Sequence, residues 1–509
     1  MVKPKSFRPW NPEQTLLLPP SPVDWLPENH LVFFLLDLAG ELDLKEIHAV
    51  YRQKDPRGEK AYEPRMMVVL LLYAYCVGLP SSRKIEKACW EDAAFRVLTG
   101  NQQPDHSRIS DFRRRHLPAL AGLFAQVLRL CQKAGLVSLG QVALDGTKVK
   151  ANASKHKAMS HERMLKSERQ LEAEIRALLR KAEIIDAEED GQYGKGKRGD
   201  ELPEELQRRS SRLEWIRKAK AELEAEAAAA KAAQRNDEAE AAEQEAEAAE
   251  ASGDEPRSKR AARRSRGARK RADEAQKLAM EKAEAAGLEL STVVAAAGTD
   301  PLAMPQRTLP TDAAGNPKPQ AQRNFTDPDS HILKGSDGWM QGYNAQAAVD
   351  SDNQVIVAIG VSNQSSDAVH LLPMLDRTLA NTGQLPDAFI ADAGYCSTAN
   401  LEACEDRGLN AYISTSRQQH GQRPRPSRGR PPKDLDARGR MERKLRSKAG
   451  QAIYAMRKTV VEPVFGQIKG ARGLDRFRLR GLEKVNGEWA LMATTHNILK
   501  LFRASMATA

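Results

Sequence analysis

Cysteine is scarce in this sequence, and its few copies are not paired. Five cysteines occur among 509 residues, no two of them in a CxxC spacing: Cys76, Cys89, Cys131, Cys396 and Cys404. Disulfide-stabilised secreted domains and cysteine-based zinc sites both need closely spaced cysteines, so the sequence argues against both classes. A reducing cytosol is the compartment that fits this usage.

Long hydrophobic runs are also absent. The most apolar stretch, residues 66–79, has 14 residues, whereas a membrane-spanning helix needs about 20. We therefore expect a buried helix there. Prolines at positions 4, 9, 12, 19 and 20 would interrupt the apolar segment of a signal peptide, so neither export nor membrane anchoring is expected.

Charge is abundant and unbalanced. The chain has 79 Lys and Arg against 68 Asp and Glu, a net charge of +11. Such a balance favours a polyanionic partner such as nucleic acid. At a rule of about 150 residues per domain, the length indicates about three structural units.

Residues 1–135 predict an all-helical N-terminal domain, because apolar positions recur there at helical spacing. One of its helices carries a run of basic residues that includes Arg113 and Arg114. Such a run is typical of a DNA-facing helix, and it is equally compatible with a solvated helix face.

An α/β core is predicted for residues 136–160 and 321–505, interrupted by a charged insertion at residues 161–320. Within the insertion, residues 221–250 hold ten acidic and two basic side chains, whereas residues 256–271 hold nine basic and no acidic ones. The two segments can pair as antiparallel helices. Alternatively the basic block contacts phosphates while the acidic block stays solvated or partly disordered, which is the interpretation we favour.

Three carboxylates stand at points where the core elements end. The apolar run of QVALDG closes in Asp145, the run of DAFIADAG closes in Asp392, and Glu462 lies on a helix that follows a basic loop. Hard divalent cations prefer oxygen ligands, and two of them about 3.5–4 Å apart stabilise both the attacking and the leaving oxygen of a phosphodiester. These acids are therefore candidates for a metal site.

Several segments carry a family resemblance. LDGTKVKANASKHKAM, GYNAQAAVD, ADAGYCSTANLEAC and the stretch from YAMRKTVVEPVFGQIKG to HNILKL together resemble DDE transposases of bacterial insertion sequences, and HLVFFLLDLAGELDL and DHSRISDFRRRHL resemble the helical domain that precedes their core. The resemblance implies an RNase H-like fold with one Asp on the first strand, one after the fourth strand and a Glu on a later helix. It makes Asp145, Asp392 and Glu462 the catalytic metal ligands, with Mg²⁺ as the expected ion and Mn²⁺ as a substitute.

The resemblance also implies DNA contacts near Glu462. Tyr454, Arg457 and Lys469 are similar to the basic and aromatic members of the family's Tyr, Arg, Glu, Lys signature, which hold phosphates of the transposon end. Here four residues separate Arg457 from Glu462, where the best-known branch has three, and Pro463 follows directly. Glu462 and Lys469 would share a helix face if that helix starts at Pro463.

The loop before this helix is strongly basic. Residues 417–448 hold twelve Lys or Arg against three Asp or Glu, and Arg428 and Arg430 form an RGRP string that resembles the AT-hook minor-groove motif. We expect these two arginines to contact DNA, by groove insertion or by phosphate contact alone. A basic linker without a DNA role is the alternative.

Together these features predict a DNA transposase that binds the terminal inverted repeats of an insertion sequence and joins the cut ends to target DNA by metal-dependent hydrolysis and transesterification. Pairing of two ends implies a homodimer, and the expected location is the cytoplasm, at the nucleoid. A different RNase H-like metallonuclease, or a catalytically silent DNA-binding protein derived from a transposase, remains as an alternative.

Overall fold

The architecture was obtained as a computed structural model, which describes residues 22–52, 61–193, 204–252, 254–288, 302–335, 338–416, 432 and 434–508. Arg428 and Arg430 lie outside the described residues. One unit comprises the described residues of Met1–Ala134, with Ala471–Gly473 and Leu491–Ala509; the other comprises those of Gly135–Gly470 and Leu474–Ala490.

The first unit is helical. Its helices are α1 (Leu31–Glu41), α2 (Lys45–Arg52), α3 (Pro64–Cys76), α4 (Ser82–Glu91), α5 (Ala93–Leu98), α6 (His106–Arg115) and α7 (Leu117–Lys133). The most apolar run of the sequence forms α3, which is buried from Met67 to Cys76. Because water is excluded from all sides of α3, the apolar residues need no amphipathic spacing.

Arg113 differs from its predicted role. It is 5% exposed, and its guanidinium donates to the Pro80 carbonyl at 2.7 Å and to the Tyr75 hydroxyl at 3.1 Å. An arginine held in this way ties α6 to α3 and cannot reach a DNA phosphate, so its position argues against DNA contact. Arg114 is exposed and pairs with Asp111 at 2.7 Å, as a solvated helix face would.

The end of the chain departs from the predicted domain boundaries. The final helix, α16 (Leu482–Thr508), contributes its residues from Leu491 onward to the first unit rather than to the α/β core. There the Cys76 thiol lies 3.8 Å from the Thr495 carbonyl, and the rings of Phe34 and Phe502 are 5.5 Å apart. Residues 491–498 of α16 are all buried, four of them apolar or alanine and four polar, so this part of the helix lies inside the first unit.

The second unit is built on a mixed sheet. Its strands are β1 (Gln141–Lys150), β4 (His331–Gly335), β5 (Gly338–Asp350), β6 (Ile356–Ser362), β7 (Ala388–Ala391) and β8 (Ala411–Ile413). The strand order is β4–β5–β1–β7–β8, and β6 also pairs with β5. Strand β1 runs antiparallel to β5 and parallel to β7, which in turn is parallel to β8.

Five of these strands, β1, β5, β6, β7 and β8, follow one another as the sequence predicts for an RNase H-like core. The first bears Asp145, the fourth ends immediately before Asp392, and β5 and β6 form an antiparallel hairpin. The helices of this core are α11 (Leu371–Thr382), α12 (Thr398–Asp406), α13 (Ala437–Arg446), α14 (Lys448–Ala455) and α15 (Arg457–Phe465). Among the described residues of both units, no helix is long and apolar enough to cross a membrane.

The insertion leaves the core after a short two-stranded ribbon of β2 (Ala158–Ser160) and β3 (Gln322–Asn324). It consists of α8 (His161–Tyr193), α9 (Glu204–Ala251) and α10 (Glu255–Ala285), and α9 packs along α10. The acidic and basic blocks therefore lie on paired helices, the pairing that the sequence left open as an alternative, and most of their charged side chains are exposed.

The predicted end of the insertion at residue 320 is too late. The segment that starts at Leu302 already packs on the core: the carbonyl of Pro305 accepts a hydrogen bond from Ser362, and the amide of Arg307 donates to the Asn363 side chain at 2.7 Å. Its prolines suggest a linker in the sequence, but they suit an extended segment that lies along an edge strand.

Candidate active site

Asp145 and Asp392 lie side by side on neighbouring parallel strands. Asp392 directly follows the end of β7, whereas Asp145 lies in the middle of β1, which continues along β5 to Lys150, so the predicted strand end at Asp145 is wrong. The last paired positions of β1 and β7 are Leu144 and Ala391, one residue before each acid. Both carboxylates are fixed by local backbone amides, because Asp145 Oδ1 accepts from the Gly146 amide at 2.8 Å and Asp392 Oδ1 from the Gly394 amide at 2.7 Å. The apolar strands thus bring two acids to one edge of the sheet.

Arg457 links Asp145 to Glu462. Its guanidinium donates to Asp145 Oδ2 at 2.9 Å and reaches Glu462 Oε1 at 3.4 Å. The Asp145 and Arg457 side chains are only 18% and 15% exposed, whereas that of Glu462 is 52% exposed. Arg457, expected to hold DNA phosphates, is in this structure the counter-ion of two of the predicted metal ligands.

The charges around Asp145 perturb its ionisation. Burial raises the pKa of Asp145 to about 6; Arg457 opposes that shift, whereas the carboxylates of Asp392 and Asp367 add to it. Burial, the largest single influence, lowers the pKa of Arg457, but the surrounding groups, Asp145 first among them, together outweigh it, so that the net shift is upward. A carboxyl group held between other acids and one cation is typical of a functional site.

Pro463 lies inside α15 and not at its start, which corrects the predicted helix start. Proline has no N–H, so the carbonyl of Thr459 four residues earlier loses its helical partner. The Gln354 side chain supplies a substitute, donating to that carbonyl at 2.9 Å. This bond lets the helix continue through Pro463. Helix α15 therefore runs from Arg457 to Phe465, and Glu462 is in its second half.

Lys469 lies in a π-helical turn, Gly466–Ala471, that follows α15. Its ammonium group donates to the Thr147 hydroxyl at 3.1 Å and to the Lys148 carbonyl at 3.0 Å. The π turn changes the helical register that the spacing of seven residues assumed. Lys469 nevertheless contacts β1 at Thr147, which is two residues after Asp145 in the strand.

Asp367 is a fourth acid at the site that the sequence analysis missed. Its Oδ1 accepts from Asn344 Nδ2 at 2.7 Å and from Gln346 Nε2 at 3.1 Å, and Lys148 Nζ is 3.4 Å away. The buried Tyr395 hydroxyl donates to Gln346 Oε1 and so fixes which way that amide points. Polar residues at alternate positions of an otherwise apolar strand, as in GYNAQAAV, are the signal that could have indicated this cluster.

Two glycines make room for these acids. A β-carbon at Gly394 would lie 2.9 Å from Asp392 Oδ1 and 3.3 Å from Asp367 Oδ2, and one at Gly146 would lie 2.9 Å from Asp367 Oδ1. Asp367 is therefore packed between Gly146, which follows Asp145, and Gly394, which lies two residues after Asp392.

The remaining predicted site residues divide into two groups. Tyr454 belongs to the site: burial raises its pKa, while the hydrogen bonds that its hydroxyl oxygen accepts from Ser414 and Arg457 act in the opposite direction. Arg113 and Arg114 belong to the other unit and do not join it.

In the described parts of the chain, no group of three or more His, Cys, Asp or Glu side chains is already close enough together to hold a metal ion. The donor chemistry nevertheless fits a divalent cation, because carboxylate oxygens are hard ligands and a cationic guanidinium already lies between Asp145 and Glu462.

Two family models match the chain. Residues 311–498 match the model described as Transposase DDE domain, and residues 21–115 match the model described as Transposase domain (DUF772). The first match covers Asp392, Glu462 and Lys469 but starts after β1, so Asp145 is assigned by the fold alone. No curated protein and no solved structure matches the chain.

These matches agree with the RNase H-like order of the strands. The family acts on DNA in transposition and generally uses divalent metal ions. The chain is a member of the DDE transposases of insertion sequences.

Proposed function

We propose that this protein binds the terminal inverted repeats of an insertion sequence, cuts the DNA there and joins the freed ends to target DNA. The observation that carries the proposal is the adjacency of Asp145 and Asp392 on parallel strands, with Glu462 connected to Asp145 through Arg457. That arrangement concentrates negative charge at one sheet edge, which is what a phosphodiester-cleaving centre needs in order to gather divalent cations.

Asp145, Asp392 and Glu462 would hold the metal ions, with Mg²⁺ as the physiological ion and Mn²⁺ as a substitute. Bound ions supply activation of the attacking oxygen and stabilisation of charge at phosphorus, in a two-metal site. The chain's own contribution is to fix the ligands: backbone amides hold two of the carboxylates, and Asp367 is tied to β5 through Asn344 and Gln346. A site held by rigid strands keeps its geometry during the reaction.

DNA is the macromolecular partner, and we assign Tyr454, Arg457 and Lys469 to the DNA end. All three lie beside the acids, and an arginine suits phosphate through its planar fork of donors. Pairing of two transposon ends before strand transfer calls for two active sites, so we propose a homodimer in the complex with DNA.

The experiment uses the full chain, duplex DNA that carries the terminal repeats of the element, and Mg²⁺. Replacing Asp145 or Asp392 by Asn, or Glu462 by Gln, removes one metal ligand while keeping its shape, so each variant should lose cleavage and keep DNA binding. Asp376→Asn is the matched control, because Asp376 pairs with Arg407 on the outside of α11. Full cleavage by any of the three site variants would contradict the assignment.

Product analysis separates transposition from simple nuclease activity. Joined products with target DNA are expected in addition to cut ends. Cleavage without any joined product would instead indicate a different metallonuclease on the same fold. Binding without cleavage by the unsubstituted protein would indicate a catalytically silent DNA-binding derivative.

A further inference from the structure

The paired helices α9 and α10 meet along a seam of small residues. Ala239 and Ala242 of α9 pack against Ala268 and Ala272 of α10, and a second alanine group, Ala228, Ala229, Ala232 and Ala279, continues the seam. Alanine side chains allow a close approach of the two helices and leave little apolar surface beyond the seam. Around residues 235–250 of α9 and 256–274 of α10 the outward faces of the hairpin are therefore polar, whereas Trp215 and Met280, farther along the same helices, are exposed.

Charge is divided between the two helices. The first half of α10 holds the nine basic residues of 256–271, and the part of α9 beside it is acidic. Two ion pairs border the seam, Arg264 with Glu245 at 2.9 Å and Arg269 with Glu243 at 2.9 Å. These two pairs use only two of the nine cations.

Four of the other cations share one face of α10. Lys259, Arg263, Arg266 and Lys270 are spaced by four, three and four residues, which places them in one row on a helix. At about 100° per residue, this row lies opposite the buried alanines of the seam. All four are exposed. We call this row the α10 basic stripe; it extends over about 16 Å at 1.5 Å per residue.

The stripe is not neutralised within the described structure. Lys259 contacts Glu255 at 2.7 Å and Lys270 contacts Glu274 at 4.0 Å, both exposed pairs one helical turn apart. Such pairs contribute only about 0.3–0.5 kcal/mol and exchange readily. Arg263 and Arg266, in the middle of the stripe, have no carboxylate of the described residues within ion-pair distance.

We propose that the α10 basic stripe binds the phosphate backbone of duplex DNA, so that the α9–α10 hairpin is a second DNA-binding surface in addition to the catalytic site. Guanidinium groups bind phosphate oxygens through two parallel hydrogen bonds, and an extended row of cations matches a polyanion. Residues 256–271 contain no Asn, Gln or aromatic side chain for reading or stacking on bases. Because the proposed contact is with phosphate oxygens, which carry no base information, it is expected to be independent of base sequence. The inference rests on the proposed function in that it takes DNA as the partner.

The test compares Arg263→Ala/Arg266→Ala with Lys218→Ala/Lys277→Ala in the full chain. The control pair removes two exposed cations from the same two helices but outside residues 256–271. Alanine is the best helix former, so both double variants should keep the hairpin folded, and circular dichroism checks this. Binding of a fluorescent duplex is measured by anisotropy at several salt concentrations, with EDTA present to prevent cleavage.

Each phosphate contact contributes about 0.9 to the slope of log affinity against log salt concentration. The stripe variant should therefore lose about 1.8 units of slope and bind equally weakly to A·T-rich and G·C-rich duplexes, while the control keeps the wild-type slope. An unchanged slope in the stripe variant would overturn the proposal. A loss confined to one base composition would also overturn it, because that result indicates base reading.

The acidic face of α9 in a second copy of the chain is another polyanion that could cover the stripe. Light scattering of both double variants separates the two partners. Loss of self-association in the stripe variant without a change in DNA affinity would reject the DNA assignment. Because binding is measured without metal, these results do not depend on whether the wild-type protein cleaves and joins DNA.

Discussion

Replacing Arg457 by Gln tests whether this arginine is the counter-ion of the acidic site. The change removes the cation that contacts Asp145 at 2.9 Å and Glu462 at 3.4 Å, and leaves Asp145 beside Asp392 and Asp367 without compensation. Breaking a fully buried pair costs about 3–5 kcal/mol, whereas an exposed pair contributes about 0–1 kcal/mol.

The Asp145 and Arg457 side chains are 18% and 15% exposed, so their pair is nearer the buried limit. We expect a loss of about 2–3 kcal/mol in the free energy of unfolding, between those two limits. For a unit of this size, that loss corresponds to a decrease of about 5 °C in Tm. Thermal unfolding in EDTA measures it.

Three comparisons make the measurement specific. Arg440→Gln removes an exposed pair with Glu405 and should lower Tm by about 1 °C or less. In the double variant Arg457→Gln/Asp145→Asn the second change removes the uncompensated charge, so most of the lost stability should return. Mg²⁺ should raise the Tm of Arg457→Gln more than that of the wild type, because the uncompensated acids bind a cation more strongly.

The reasoning would be refuted if Arg457→Gln unfolded at the wild-type temperature in EDTA. It would be refuted equally if Asp145→Asn failed to restore stability, since the loss would then arise from packing of the long side chain and not from charge.

Three further predictions concern other parts of the second unit. Gly394→Ala should lower the cleavage rate by at least about tenfold with little change in Tm, because the added β-carbon would displace the Asp392 carboxylate. Gly122→Ala is the control, since a β-carbon there meets no other atom. Wild-type activity in Gly394→Ala would contradict the packing around Asp392. Burial lowers the pKa of His331 to about 3, so the unfolded chain takes up its proton first and stability should fall by about 1.4 kcal/mol per pH unit between pH 6.5 and 3. His331→Gln should flatten that dependence in denaturant titrations, and an unaltered pH profile would disprove the link. Lys469→Ala should reduce the salt slope of DNA binding by about 0.9, whereas a lower Tm with an unchanged slope would make Lys469 structural.

The sequence alone predicted the order of elements and three of the four acids that lie at the site. Apolar runs that stop at Asp145 and Asp392 predict buried strand segments followed by polar residues, because a strand segment whose two faces are both covered must be apolar. The helical N-terminal unit followed from apolar spacing in the same way. These features are local or periodic, so they can be read before the chain folds.

Only the tertiary structure decided what the charged side chains do. Arg113 and Arg457 both belong to basic or signature segments, yet one is buried against Tyr75 and the other neutralises Asp145. Asp367 joins the site because β5 carries Asn344 and Gln346 to it. A charged side chain takes the partner that folding brings within a few ångströms, and such partners are separated by up to hundreds of residues in the chain. Composition and spacing therefore predicted the helices and strands, whereas tertiary packing determined which partner each charged side chain contacts.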